Sequence, residues 1–413
     1  MASVERRATP GPGQDATPPD RGNALEVLLV ALGLGLTSFG GPIAHLGYFE
    51  RAYVERRRWL SAEDYAGLVA LCQMMPGPAS SQLGFLIGLR RAGWAGAFAA
   101  WLGFTLPSAM IMFAFALLAP RFTGPLTQAG LHGLKLVAVA VVAQAVWSMG
   151  HKLCPDRRRA ALALIAATLL LLVGGSLMQL LALIAGAVGG IMLCRDVDGA
   201  AAPPKLPIGR RTGLVAGALF LLLLAGLPLA AQAAPRSMLA MAAIFYKAGA
   251  LVFGGGHVVL PLLRDALVPG WLSDHVFLSG YGAAQAVPGP LFTFAAYLGG
   301  VIAPPGASLG VTVQWSIVAL IFLFLPGMLV ATAGLPLWNW IGGHAPARGA
   351  LAGVNAAVVG VLGAALYNPI WTSAILDARD LAIALVAFTL LERWRVPPIA
   401  IVLFCVSAAI AIR

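Results

Sequence analysis

Between Asp274 and Arg348 the chain carries no Asp, Glu, Lys or Arg. Water cannot solvate a folded stretch that long and that apolar, whereas a bilayer accepts it and asks only about 20 apolar residues for each crossing helix. Other uncharged runs extend from Ala92 to Pro120, Ala160 to Cys194, Thr212 to Pro235, Gly349 to Leu376, Leu381 to Leu391 and Val396 to Ile412. The run from Phe122 to Gly150 is interrupted only by His132 and Lys135. Over the whole chain 60% of residues are apolar and 10% charged, against about 25% charged in a soluble protein. These proportions exclude a soluble domain of any size and nucleic-acid binding as the main theme. They predict an all-α polytopic membrane protein in contact with lipid, because only helices and closed barrels satisfy the backbone inside a bilayer.

Two segments near the start behave differently. Asn23 to Glu50 breaks at Gly40-Gly41-Pro42, and Leu68 to Leu89 breaks at Pro76-Gly77-Pro78. Both are flanked by arginines on each side: Arg21, then Arg51 with Arg56-Arg57-Arg58, then Arg90-Arg91. Two through-going spans would put some of these clusters outside, against the positive-inside rule. Broken or re-entrant helical hairpins return each cluster to the cytoplasm, and backbone breaks at membrane depth are tolerated where they line a cavity. The formal charge of +11 is therefore read as a topology signal. Residues 1–22, polar and without the apolar core of a signal peptide, are expected to form a disordered cytoplasmic tail.

The second half repeats the first. Ser38-Phe39-Gly40-Gly41 returns as Val252-Phe253-Gly254-Gly255, Trp59-Leu60-Ser61 as Trp271-Leu272-Ser273, and Gln73 through Pro76-Gly77-Pro78 as Gln285 through Pro288-Gly289-Pro290. The repeat predicts a first transporter unit over 23–195, a linker over 196–236 with one extra transmembrane helix, and a second unit over 237–413. Each unit carries hairpins plus about four spans. The extra helix inverts the second unit, and the arginines agree: the loop from Arg51 to Arg58 has four, its counterpart only Arg264 beside Asp265. Nine crossings would leave the N-terminus cytoplasmic and the C-terminus periplasmic. Inverted repeats with broken helices are the architecture of secondary transporters, with the site at the repeat interface.

The substrate-contact candidates follow from the breaks. After Pro78 a helix opens with Ala79-Ser80-Ser81-Gln82, offering free amides and hydroxyls at a positive dipole end, which suits an anion. The counterpart offers Thr293 alone. Gly40, Gly41, Gly254 and Gly255 allow close approach, and a histidine follows each pair, His45 and His257. Gln73 and Gln285 stand one turn before the breaks. Lys135 sits inside its span, where a charge costs roughly 2.5–3.5 kcal/mol, and nominates itself as a counter-charge; Asn355 stands at the comparable point of the second copy. Prolines also kink many ordinary membrane helices, but the matched pair favours a site. The four cysteines are scattered without metal-ligand spacing, and no nucleotide-binding loop, nucleophile–base set or cofactor motif occurs. Catalysis is thus not expected, and transport is.

Ser38-Phe39-Gly40-Gly41-Pro42 with His45, Arg56-Arg57 to Trp59-Leu60, Gln73 to Gln82, Gly103-Phe104-Thr105-Leu106-Pro107-Ser108 and Phe253-Gly254-Gly255-Gly256-His257 resemble the bacterial chromate ion transporter family in its long two-domain form. The resemblance spans Leu25 to Ile412. It implies efflux of chromate across the bacterial inner membrane, conferring resistance, with coupling to protons or to the membrane potential. A carrier of sulfate or another oxyanion, and a membrane sensor or scaffold, are the other readings; a homodimer is compatible with any of them.

Overall fold

The computed structural model describes residues 22–39, 41–118, 124–173, 176–194, 206, 208–253 and 256–412. The tail expected over 1–22 lies outside the described residues up to position 21, as do Gly40, Gly254 and Gly255.

Every regular element among the described residues is helical. The first half runs α1 (Ala24–Thr37), α2 (Gly41–Phe49) extended by a π-helical turn (Glu50–Arg56), α3 (Ala62–Met74), α4 (Ala79–Leu118), α5 (Pro125–Leu153), α6 (Arg157–Leu172) and α7 (Ser176–Leu193). The linker contributes α8 (Arg210–Ala231). The second half runs α9 (Met238–Ala250), α10 (Val259–Leu267), α11 (Asp274–Ala286), α12 (Phe294–Ile302), α13 (Leu309–Gly343) and α14 (Ala345–Ala365). It ends with a π-helical turn (Leu366–Trp371), α15 (Thr372–Ala374), α16 (Ala378–Glu392) and α17 (Pro398–Ile412). Among the described residues five helices are long and apolar enough to cross a membrane: α4, α5, α8, α13 and the stretch from α14 through α15. The other four expected crossings fall on α6, α7, α16 and α17, which have 16, 18, 15 and 15 residues. The chain is a multi-pass membrane protein.

Capping repeats between the halves as the motifs do. Ser61 accepts the Asp64 amide at the head of α3, and Ser273 accepts the Val276 amide at the head of α11. Asp156 and Asp377 cap α6 and α16 in the same way. Each supplies an acceptor to an amide that the first helical turn leaves unsatisfied.

The hairpins turn back on themselves. α4 is broken at Ala92-Gly93, and its arms fold together so that Phe85 packs on Trp94 and Phe98 with ring centroids 6.2 and 5.9 Å apart. The Gly22 amide donates to the Arg91 carbonyl at 2.9 Å, Arg91 pairs with Glu26 at 3.2 Å and lies over the Trp59 ring, and Arg90 pairs with Asp64 at 2.9 Å. The start of α1, the turn before α3 and the break in α4 therefore share one face, and with them the arginines read as cytoplasmic. In the second half Arg236 donates to the Gly270 carbonyl at 2.9 Å, Arg264 holds Asp274 at 2.9 Å, and Trp271 meets Trp315.

The long helices exchange partners. α14 packs on α6 and α7, whose Gly186 and Gly190 meet Gly349 and Gly353 backbone to backbone. Reciprocally, α5 packs on α16 and α17, with Gly133 against the backbone of Cys405 and Val406. α8 leans on α9 and α13 and turns Leu214, Val215, Leu221 and Leu222 outward.

Candidate functional site

Residues at or beside the four breaks meet. The Gly77 amide donates to the Val252 carbonyl at 2.7 Å, and the Gly289 amide donates to the Ser38 carbonyl at 2.9 Å. Ser38 and Val252 are counterparts in the sequence repeat, and so are Gly77 and Gly289, so the two bonds are one contact made twice. Both glycines have positive φ, 122° and 101°, a conformation that a side chain strains. Each also presses on the proline turn of the opposite half's long helix: Gly77 lies against Gly327, and Gly289 against Ser108. Leu106-Pro107-Ser108 and Leu325-Pro326-Gly327 are thus a further matched pair, which the sequence comparison passed over.

The first-half side chains gather at this junction. His45 Nδ1 lies 3.3 Å from Ser80 Oγ, its ring packs edge-on against Phe104 at 5.3 Å, and it also meets the Ser38 backbone. Gly41 faces His257 Nε2. His257 Nδ1 bonds the Tyr281 hydroxyl at 2.8 Å, which is also within hydrogen-bonding reach of Gln285. Ser38, His45, Ser80, Ser81, Gln82, Thr105 and Thr293 are all buried.

Several buried polar atoms here have no partner among the described residues: Ser38 Oγ, His45 Nε2, Ser81 Oγ, Gln82 Oε1 and Thr105 Oγ1. Such atoms are rare in folded proteins and costly unless something occupies them. Three are hydroxyls and one an imidazole nitrogen, types able to carry a hydrogen toward an acceptor, while the Gln82 amide oxygen can only accept. Ser81 and Gln82 lie in the first turn of α4, where the helix dipole adds positive potential, and His45 reaches that turn through Ser80. Hydroxyls, an imidazole and the amides of a helix start are groups from which an anion can accept hydrogen bonds.

Other expected contacts fall differently. Gln82 Nε2 donates to the Pro76 and Gly327 carbonyls at 2.8 and 2.9 Å, so its amide ties the first break to α13. Thr293 donates its hydroxyl to the Pro290 carbonyl at 2.8 Å, which leaves the second half without the free hydroxyl that Ser81 keeps. Gln73 is exposed on α3. Asn355 Oδ1 is buried without a partner on α14. Lys135 is 8% exposed on α5, one turn beyond His132, which forms a 2.9 Å pair with Asp380 of α16. Asp380 escaped the sequence reading because an acid in the first turn of a helix ordinarily complements the dipole. Among the described residues no cluster of His, Cys, Asp and Glu has the makings of a metal site.

A sequence model of the chromate transporter family matches residues 25–191 and 239–411. A chromate transport protein of Pseudomonas aeruginosa is 30% identical over 336 residues, covering 81% of this chain and 78% of that one. A probable chromate transport protein of Synechococcus elongatus is 28% identical over 391 residues, covering 92% and 93% of the two chains. A chromate transport protein of Cupriavidus metallidurans is 28% identical over 382 residues, covering 90% and 88%. No solved structure matches. The two stretches of the family model bracket the hairpins and their matched breaks in each half, and this chain belongs to the chromate transporter family.

Proposed function

We propose that the protein exports chromate, a tetrahedral dianion, from the cytoplasm across the bacterial inner membrane and so confers chromate resistance. The observation that carries this reading is the set of unpartnered buried donors at Ser38, His45, Ser81 and Thr105, of which Ser81 opens α4 and His45 meets Ser80. Lys135 supplies a counter-charge, and Ser80 orients His45. Residues 23–195 and 237–413 act as two inverted units joined by α8, and the ion passes between them by alternating access. The N-terminus then lies in the cytoplasm and the C-terminus in the periplasm.

The direction has a physical basis. Moving one charge through 100 mV is worth about 2.3 kcal/mol, so an inside-negative potential favours exit of a dianion by roughly 4.6 kcal/mol. Uptake of the similar dianion sulfate would require more than two accompanying positive charges to reverse that sign.

The test is chromate accumulation in inverted membrane vesicles carrying Ser80→Ala, Ser81→Ala or Lys135→Ala at matched expression. Each substitution is expected to abolish uptake; unchanged transport in all three sinks the site assignment. Competition by sulfate in the same vesicles decides selectivity, since a cradle of donors recognises four oxygens and two charges in either ion.

A further inference from the structure

The geometry points to a proton-binding site at His132 and Asp380, beside the anion path and linked to it. This rests on the oxyanion reading above and adds a second ligand to it.

His132 Nε2 lies 2.9 Å from Asp380 Oδ1, with the two side chains 6% and 4% exposed. The second carboxylate oxygen accepts the Leu376 amide at 3.0 Å, so the acid is oriented from both sides. The partners are far apart in sequence and come from α5 and α16, which meet only because the long helices exchange halves. A buried ion pair is weak evidence of stabilisation, since well-packed apolar residues often serve a fold as well. Ionisable residues inside membrane segments are expensive and mark ion or proton pathways by default.

The ionisable groups on every helix packed against the pair are few. α5 adds Lys135, one turn on; α11 adds Asp274, which Arg264 holds, His275, which lies within electrostatic reach of both Lys135 and His132, and Tyr281, which bonds His257. The head of α16 adds Asp377, which caps its helix, and Arg379, while α17 adds the buried Cys405. The π-helical turn adds only Tyr367, which is exposed, and α14 brings no ionisable group between Gly349 and Ala365. Histidine is the group whose proton equilibrium ordinarily falls near neutrality. Lys135 and Asp380 are thus the resident charges, and His132 is the group that changes.

The site is close enough to the cradle to be coupled with it. Ser279 of α11 donates to the Leu131 carbonyl at 3.4 Å, and Gly282 presses on the Leu134 carbonyl. Gln285 follows on the same helix six residues after Ser279, about 9 Å along its axis, and reaches the Tyr281 hydroxyl that His257 also bonds. α11 thus runs from the backbone beside His132 to the edge of the cradle, and opposite charges attract one another across a protein interior. A dianion in the cradle favours the protonated imidazole, and loss of the dianion favours its release. One proton from bulk water therefore adds to His132 as the anion binds and returns to water as it leaves. The charge crossing per ion is then one negative charge where the dianion alone would carry two. The first half has no equivalent: the matched caps Asp156 and Asp377 place Arg159 opposite Asp380, and the Lys135 and Asn355 match places Ala352 opposite His132.

Two measurements on the purified full chain test this. Chromate added in weakly buffered solution with a pH indicator should draw about one proton per bound ion in the native protein, and none in His132→Gln or Asp380→Asn, with binding followed by equilibrium dialysis. Equal proton uptake in native protein and both variants overturns the proposal, as does chromate binding without uptake in the native protein. The second measurement needs no anion: nuclear magnetic resonance of labelled histidine, with His132 identified by its loss in His132→Gln. Its signal should pass between neutral and protonated forms across about pH 5 to 9 and should respond to Asp380→Asn; a signal fixed across that range overturns the proton site. If chromate does not bind the native protein at all, the anion reading falls, and the histidine titration still decides the proton site.

Discussion

The amide of Gly77 donates to the carbonyl of Val252 over 2.7 Å, across the join between the two halves of the chain. Its counterpart, Gly289 to Ser38, is made at 2.9 Å. The two contacts fix four backbone breaks at one junction, and disturbing either should disturb both site and fold.

Gly77→Ala and Gly289→Ala should therefore not be equal. Both force a side chain onto positive φ, a strain of roughly 1–3 kcal/mol. At Gly77 the new methyl would also sit 2.8 Å from the Gly327 backbone, which cannot yield, whereas at Gly289 the nearest obstacle is the Ser108 hydroxyl at 2.8 Å, which can rotate away. Thermal unfolding of the detergent-solubilised variants should show a larger loss for Gly77→Ala, and chromate flux should follow the same order. Equal losses would mean that strain alone governs the turns.

The exchanged packing predicts a contrast within one helix. A methyl on Gly353 collides with the Gly186 carbonyl, while Gly363 has nothing within 4 Å of the same position. Gly353→Ala should prise α14 from α7 and cost about 1–3 kcal/mol by overpacking. Gly363→Ala should be neutral or stabilise by roughly 0.5–1 kcal/mol through helix propensity. The readout is again the unfolding midpoint, and a destabilised Gly363→Ala would contradict the placement of that face.

Inversion of the second half predicts opposite sides for two equivalent loops. Periplasm-active and cytoplasm-active reporters fused after Arg58 and after Arg264 should report the cytoplasm for the first and the periplasm for the second. The same side for both would leave a parallel duplication and remove the basis for alternating access.

The hairpins were legible because glycine, proline and arginine act locally. A Pro-Gly-Pro break cannot continue a helix, and a basic loop cannot cross a bilayer, so Pro76 to Pro78 and Arg90-Arg91 declared the reversal before any packing was known. The direction in which side chains point was less legible. Gln73 and Gln285 match perfectly as motif positions, yet Gln73 is exposed while Gln285 carries a buried amide nitrogen. Gln82 and Thr293 promised contacts to a ligand and spend their hydrogens on backbone carbonyls instead. The exchange of α5 and α14 left no trace in hydropathy, because small residues on an apolar helix look the same whichever neighbour they meet. Asp380 was hidden by its ordinary position in a first helical turn; only the arrival of His132 from the other half gives it a different meaning.

The exchange has a consequence for biosynthesis. α6 and α7 leave the ribosome about 150 residues before their partner α14 exists, a wait of roughly 8–30 s at usual elongation rates. During that interval two short helices sit in the membrane with Gly186 and Gly190 facing lipid, a vacancy that an insertase or a neighbouring lipid must tolerate. Maturation of this transporter is therefore a closing step, completed only when the last sixth of the chain returns to fill a seat prepared by the first half.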